Sequence, residues 1–270
     1  MKIILSRKGF DSKFGGCPSP ILPDGTMLSM PIPGGEDNPC RYEDINYNGK
    51  SYSDIWRQLR RRQKEFDTYC HLDPDLRKDI RYVPDDWRAA FGQVDGSQTH
   101  LENQGVGIGD LFLFFGWFRE TENRNGKFKY KPKTYGKHML FGYLQIGEIL
   151  KGEQTKKLSW HPHSDETYDG TNNTIYVASE KLIINGKETE LAGYGTFKYS
   201  DELVLTKDGL SRSRWELPDF FKDVAISHHN ANSFKNGYFQ SAAIGQEFVI
   251  SENDKVAEWA KGIILNNNTK

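Results

Sequence analysis

Histidine and aspartate alternate in His71-Leu72-Asp73-Pro74-Asp75, and two more imidazoles stand one residue apart in His161-Pro162-His163. Alternate side chains of an extended segment point to one side, so each stretch presents its nitrogen and oxygen donors together. Such donors suit a divalent metal, and they suit proton transfer. Spacing therefore supports two assignments: His71, Asp73, Asp75, His161 and His163 as ligands of a divalent metal used in hydrolysis or phosphoryl chemistry, or His71, Asp73 and His161 as acid-base groups. Neither segment matches a specific metal-site signature, and the proline in each also suits a plain rigid turn.

Ser6-Arg7-Lys8-Gly9-Phe10-Asp11-Ser12 brings two cations, a carboxylate and a hydroxyl together just after an apolar stretch, and Gly15-Gly16 adds open backbone N–H groups. That mixture suits an anion: Arg7, Lys8 and Ser12 are expected to bind phosphate, with Asp11 as a general base. The bland alternative is a loop in which Asp11 and Ser12 cap a turn. Neither a P-loop nor a dinucleotide fingerprint is present, and no G-x-S-x-G elbow points to a serine hydrolase. Ser211-Arg212-Ser213-Arg214-Trp215 joins guanidinium groups, hydroxyls and an indole; Arg212 is a further phosphate candidate, and Trp215 is either a stacking platform or a core residue.

These groups need elements to position them. Lys2 to Ser6 reads as a first strand, and residues 7–50 as a long loop rich in Gly and Pro, with a hairpin turn at Pro23-Asp24-Gly25. Ser53 to Tyr69 reads as an amphipathic helix whose Arg60-Arg61-Arg62 run is a solvated face or a phosphate contact. Short helices are expected at Asp85 to Phe91 and Ser97 to Asn103, the latter ending at Gly105. Leu111 to Phe115 and Met139 to Ile146 read as antiparallel strands, followed by short strands at Thr174 to Ala178, Leu182 to Ile184, Gly195 to Tyr199, Leu203 to Thr206 and Glu247 to Ile250. A closing helix spans Asp254 to Leu265. The expected architecture is one α+β domain over residues 1–270: a helix- and loop-rich part (1–109), a mainly β part (110–250) that forms a bent, antiparallel, barrel-like sheet, and the helix of 254–265.

Composition narrows the classes. In 270 residues, 36 Lys and Arg balance 37 Asp and Glu, for a net charge of -1, which excludes a histone-like or ribosomal type of binder. The longest apolar run, Leu111 to Phe118, has eight residues and is broken by Gly116, so no membrane contact is expected. Ile3-Ile4-Leu5 is too short for a secretory core, and three cysteines without a C-x-x-C pair read as reduced thiols; a cytoplasmic location is expected.

Several segments carry a resemblance: Ser6 to Ser12 with Gly16, Pro18-Ser19-Pro20-Ile21, His71-Leu72-Asp73-Pro74-Asp75-Leu76, Gly109 to Arg119, Gly142 to Glu148 and Asn172 to Ser179. Together they resemble the third of the nucleotide modification associated domain families, over nearly the whole chain. Leu205-Thr206, Ser211-Arg212-Ser213, Trp215, Phe239-Gln240-Ser241 and Gly245 to Val249 continue the likeness; Ile244 departs from it, standing where the family leads one to expect arginine. The resemblance implies association, by gene neighbourhood in phages and bacteria, with systems that modify bases in DNA, and it defines no reaction. Residues 109–149 are also similar in pattern to the strands of PUA-like and EVE-type barrels, which bind nucleic acid or modified bases.

The first functional reading is accordingly an enzyme acting on a nucleotide or a nucleic-acid base. In it Arg7, Lys8 and Arg212 bind phosphate, Asp11 or Asp73 is the base, and His71 or His161 moves a proton or holds a metal. The alternatives are a non-catalytic reader that stacks a flipped base on Trp117, Tyr143 or Trp215, and a metal-dependent nuclease. Nucleotide or DNA is the expected partner.

Overall fold

The computed structural model describes residues 1–60, 68–243 and 245–268. Nine elements frame the site: β1 (Ile3–Arg7), α1 (Tyr52–Leu59), β2 (Ala90–Val94), α2 (Asp95–Asn103), β3 (Leu111–Arg124), β4 (Lys137–Lys151), β5 (Asn173–Ala178), β6 (Glu247–Ile250) and α3 (Asp254–Asn267). The run Leu111-Phe112-Leu113-Phe114-Phe115-Gly116 is buried at every position, so β3 is covered on both faces and reads as a continuous apolar segment rather than an alternating one. It lies mid-sheet, in the strand order β6-β1-β3-β4-β5-β2.

The sheet is mixed. β1 runs parallel to β3, with Ile3 opposite Leu111, while the other pairs along this path are antiparallel. β4 shifts register between Leu140 and Gly142 and again between Ile146 and Glu148, and such bulges bend a strand. At Gly142 a Cβ would stand 2.7 Å from the Gly195 carbonyl oxygen, so only glycine lets the segment Tyr194–Thr196 pair there. The bending folds the sheet back on itself: Phe91 of β2 packs on Phe112 and Phe114 of β3, at ring distances of 4.9 and 5.4 Å, although two strands separate them in the ladder. The two sheet ends meet through side chains, Gln93 of β2 donating to Glu247 of β6, and no backbone ladder joins β2 to β6 among the described residues. The fold is therefore α+β, with an open, curled sheet where a closed antiparallel barrel would need that last pairing.

A second core organises the Gly- and Pro-rich segment. Phe10, Tyr42 and Trp56 pack ring on ring, with centroids 4.9–6.1 Å apart, among Leu28, Met30, Ile45 and Ile55. Apolar anchors every few residues thus tie down a stretch that holds only two- and three-residue strands. Its strands Ile32–Pro33 and Cys40–Arg41 flank Tyr69–His71, and this small sheet carries His71.

Several elements differ from expectation. α1 starts at Tyr52 with Ser51 as its cap, and it ends at Leu59; Tyr69 lies in a strand, while residues 61–67 of the expected helix, with Arg61 and Arg62, fall outside the described residues, as does Ile244. The Arg60 side chain donates to the Gly15 carbonyl at 2.6 Å, a structural contact. Asp85 to Phe91 is no helix: a turn at Asp85-Asp86 leads into β2, where Ala90 and Phe91 are buried against β5. Ladder pairing outweighs a local helical pattern there. Leu203 to Thr206 forms a 3-10 turn and isolated bridges in place of a strand. The closing helix α3 forms as expected, and among the described residues no helix is long and apolar enough to cross a membrane.

Trp215 belongs to the main core, fully buried, edge-on to Phe115 at 5.0 Å, with Nε1 donating to the Arg212 carbonyl oxygen at 3.1 Å. Trp215→Ala is expected to cost about 3–5 kcal/mol of stability. Urea unfolding measures this, and a loss below about 1 kcal/mol would mean that the indole is not a core anchor.

Candidate functional site

A cleft of about 220 Å³ opens where the C-terminal end of β1, the edge strand β2, the strand Tyr69–His71 and the turn Pro162–Ser164 converge. Arg7, Lys8, Asp11, His71, Asp73 and His163 all line it. Residues read from three separate segments of sequence thus reach one place.

One ligand atom from each of His71, Asp73 and His163 lies within 4.8 Å of the others. The His71 Nδ1 meets Asn38 Oδ1 at 2.9 Å, and the His163 Nδ1 meets Asn173 Oδ1 at 2.7 Å. The Asp73 side chain is 4 % exposed, and its Oδ1 accepts the Gly92 N–H at 2.8 Å. Desolvation alone would raise the Asp73 carboxyl, but the facing His161 ring and the charge of Lys8 outweigh it and hold the group well below the usual carboxylate range. Desolvation lowers both imidazoles against the pull of Asp73, His163 to about 3. At neutral pH the cluster is thus an anion beside two neutral imidazoles.

The fit is close. A Cβ on Gly92 would stand 2.2 Å from the His163 Cδ2, so the ring rests directly on the β2 backbone, while its other surroundings include Tyr168, stacked at 4.6 Å. His161 is fully enclosed behind Asp73: its Nε2 stands 3.3 Å from Asp73 Oδ1, a near but poorly aligned contact, and its Nδ1 accepts the His163 N–H at 3.2 Å. Asp75 leaves the group. Its carboxylate turns to Arg81 at 2.6 Å and the Trp87 Nε1 at 2.8 Å, and burial pushes its carboxyl up despite that cation. The alternation that would have aligned Asp75 with His71 and Asp73 stops because the backbone leaves the strand at His71.

The cations are held differently. Lys8 Nζ sits 3.1 Å from the buried Glu247 carboxylate and 4.3 Å above the Phe91 ring. Glu247 also accepts from Gln93 at 2.7 Å and from Ser6 at 3.3 Å. Arg7 donates to the Gly245 carbonyl at 3.1 Å. Asp11 Oδ1 accepts the N–H groups of Lys13 and Phe14, each at 2.7 Å, which is the turn-capping alternative of the sequence. Ser12 lies outside the cleft lining, hydrogen-bonded by Arg212, whose guanidinium covers the half-buried Trp117 ring at 4.3 Å. Tyr143 and Trp215 are enclosed in the core and present no face to a base, because β4 and the segment carrying Trp215 turn them inward.

Several residues that line the cleft or support its lining carry no sequence signal of their role: Gly92, Gln93 and Tyr168 in the lining, and Asn38, Asn173 and Glu247 behind it. Asn38 stands 33 residues from His71, and Gln93 stands 154 from Glu247, so no local pattern links them. No curated protein and no solved structure matches the chain. The model of nucleotide modification associated domain 3 matches residues 2–251, nearly the full length, and the chain belongs to that family.

Proposed function

We propose that the protein is an enzyme that acts on a nucleotide or a nucleic-acid base, with the cleft between β1 and β2 as its active site. One observation carries the reading: Arg7 and Lys8 line the same small cleft as the ionised Asp73 and the neutral His71 and His163. Fixed cations suit the phosphate of a substrate, and perturbed titratable groups gathered in a cleft suit chemistry. At about 220 Å³ the cleft is smaller than a drug-sized pocket, which suits a base or a phosphate group rather than a whole polymer segment. Phe14, 40 % exposed at its edge, and Tyr168 offer ring faces to a base. Arg212 over Trp117, with Ser12, supplies an outer cation for a second phosphate. A cytoplasmic location is in keeping with such a substrate.

The test is incubation of the purified protein with nucleosides, nucleotides and DNA, with products read by mass. A mass-shifted base or nucleotide is expected. Arg7→Ala is expected to lose about 10- to 100-fold in affinity for a phosphorylated ligand and little for the matching nucleoside. Binding of modified DNA with no product would replace the enzyme by a reader. That reading relies on Phe14, Tyr168 and Trp117, since Tyr143 and Trp215 are closed off.

A further inference from the structure

We propose that His71, Asp73 and His163 bind one divalent ion of the first transition row, with open coordination positions facing the cleft. The argument starts from the two asparagines. Asn173 Nδ2 donates to the His163 carbonyl oxygen at 2.7 Å, which fixes the amide so that its oxygen faces the His163 Nδ1. Asn38 is fixed in the same manner by its donation to the Gly35 carbonyl at 3.2 Å, and its oxygen faces the His71 Nδ1. An amide oxygen only accepts, so each Nδ1 carries a proton, and Nε2 is the nitrogen left to ligate an ion.

The consequence is a cluster made of acceptors alone. One ligand atom from each imidazole and from the carboxylate lies within 4.8 Å of the others, and with both Nδ1 protons given to the asparagines none of the three groups has a donor for another. Lys8, the nearest cation, is drawn to Glu247 and lies over Phe91, and His161 approaches Asp73 from behind. Acceptors crowded together on the wall of a narrow cleft repel one another, and a cation between them relieves that repulsion. An amide or carboxylate on the far nitrogen of each ligating histidine is also the usual outer support of a metal site: it orients the ring and raises its basicity. Two imidazoles and one carboxylate select a transition ion over Mg²⁺ or Ca²⁺, which take oxygen ligands, and three protein ligands leave room for water or substrate. The inference deepens the proposed enzyme and rests on that reading for the ion's role in turnover, whereas binding itself is read without turnover.

The experiment uses the full chain, stripped with chelator and then titrated with Zn²⁺, Co²⁺, Mn²⁺, anaerobic Fe²⁺ and Mg²⁺. Bound metal is counted by elemental analysis, affinity is taken from calorimetry, and the visible spectrum of the Co²⁺ form reports nitrogen ligation. One transition ion per chain is expected, with Mg²⁺ weaker by at least about 100-fold. His163→Gln is expected to remove binding, and Asn38→Ala to weaken it by about 10- to 100-fold through the freed His71 ring. Substoichiometric binding by the wild type, equal affinity for Mg²⁺, or unchanged binding by a folded His163→Gln variant would overturn the site. If the variants fail to fold, the stoichiometry and the Co²⁺ spectrum of the wild type decide. One bound ion with no turnover of any substrate overturns the enzyme reading alone; turnover that persists in protein that binds no ion overturns the metal centre alone.

Discussion

Asp73→Asn is expected to lower turnover by about 10²- to 10⁴-fold, the range over which a positioned acid-base or charge-bearing group acts. The substitution keeps the shape of the side chain and leaves an oxygen to accept the Gly92 N–H, so the β2 edge stays in place. What it removes is the negative charge that faces His161, His163 and Lys8. Asp11 gives the contrast. Its carboxylate accepts two N–H groups of its own turn, and an amide oxygen at Asp11→Asn accepts them equally well, so this variant is expected to stay within about twofold of wild-type turnover. Rates measured at saturating substrate, with folding checked by circular dichroism, separate the two. An equal loss in both variants would move the essential carboxylate from the cluster to the turn; full activity in Asp73→Asn would remove the cluster from the mechanism.

Stability should fall on mild acidification, well before ordinary carboxylates titrate. Desolvation lowers His163 and His138 to about 3 in the folded protein, against about 6.5 in an unfolded chain. For His138 the enclosure is the core itself: its ring packs edge-on against Phe115 and Trp215, and its Nδ1 accepts the Trp215 N–H at 3.2 Å, a bond that requires an unprotonated nitrogen. A depressed histidine pKa means that the unfolded state binds more protons, so stability rises with pH between the folded and unfolded values and is lost as pH falls through that window. Between pH 7 and pH 5 each of the two histidines accounts for about 2 kcal/mol, and His71 acts in the same direction. Asp73, lowered in the folded state, adds a further loss below about pH 4, where an unfolded aspartate takes up its proton. Urea unfolding across this range, in chelator so that no metal contributes, is expected to show a fall of about 4 kcal/mol. A flat profile from pH 7 to pH 5 would mean that the imidazoles reach solvent. His138→Asn, which removes one of the two groups, should roughly halve the fall, and it tests the assignment residue by residue.

Much of the frame was legible because its signals are local. The run from Leu111 to Phe115 and the stretch from Met139 to Ile146 are apolar and aromatic at nearly every position, and they became the two long central strands. The helical spacing of Val256, Ile263 and Ile264 became the buried face of α3, with Asn253 as its cap. The expected helix at Asp85 to Phe91 shows the limit of such signals. Phe91 is needed against Phe112 and Phe114, and that demand comes from a strand 20 residues further along rather than from its neighbours.

By itself the sequence determined the family, the strand-rich second half, the closing helix and the two segments, His71-Leu72-Asp73 and His161-Pro162-His163, in which nitrogen and carboxylate donors crowd together. It also placed Arg7 and Lys8 at the end of the first strand, which carries them to the cleft because β1 ends there. Only the tertiary structure decided which donors face one another. It separated Asp75 from Asp73 by giving it Arg81, turned Tyr143 and Trp215 into the core, and brought Asn38, Asn173 and Gly92 around the imidazoles. The physical reason is that a side chain's chemistry depends on its protonation, tautomer and access, and each of these is set by partners that approach through the curl of the sheet, often from far along the chain.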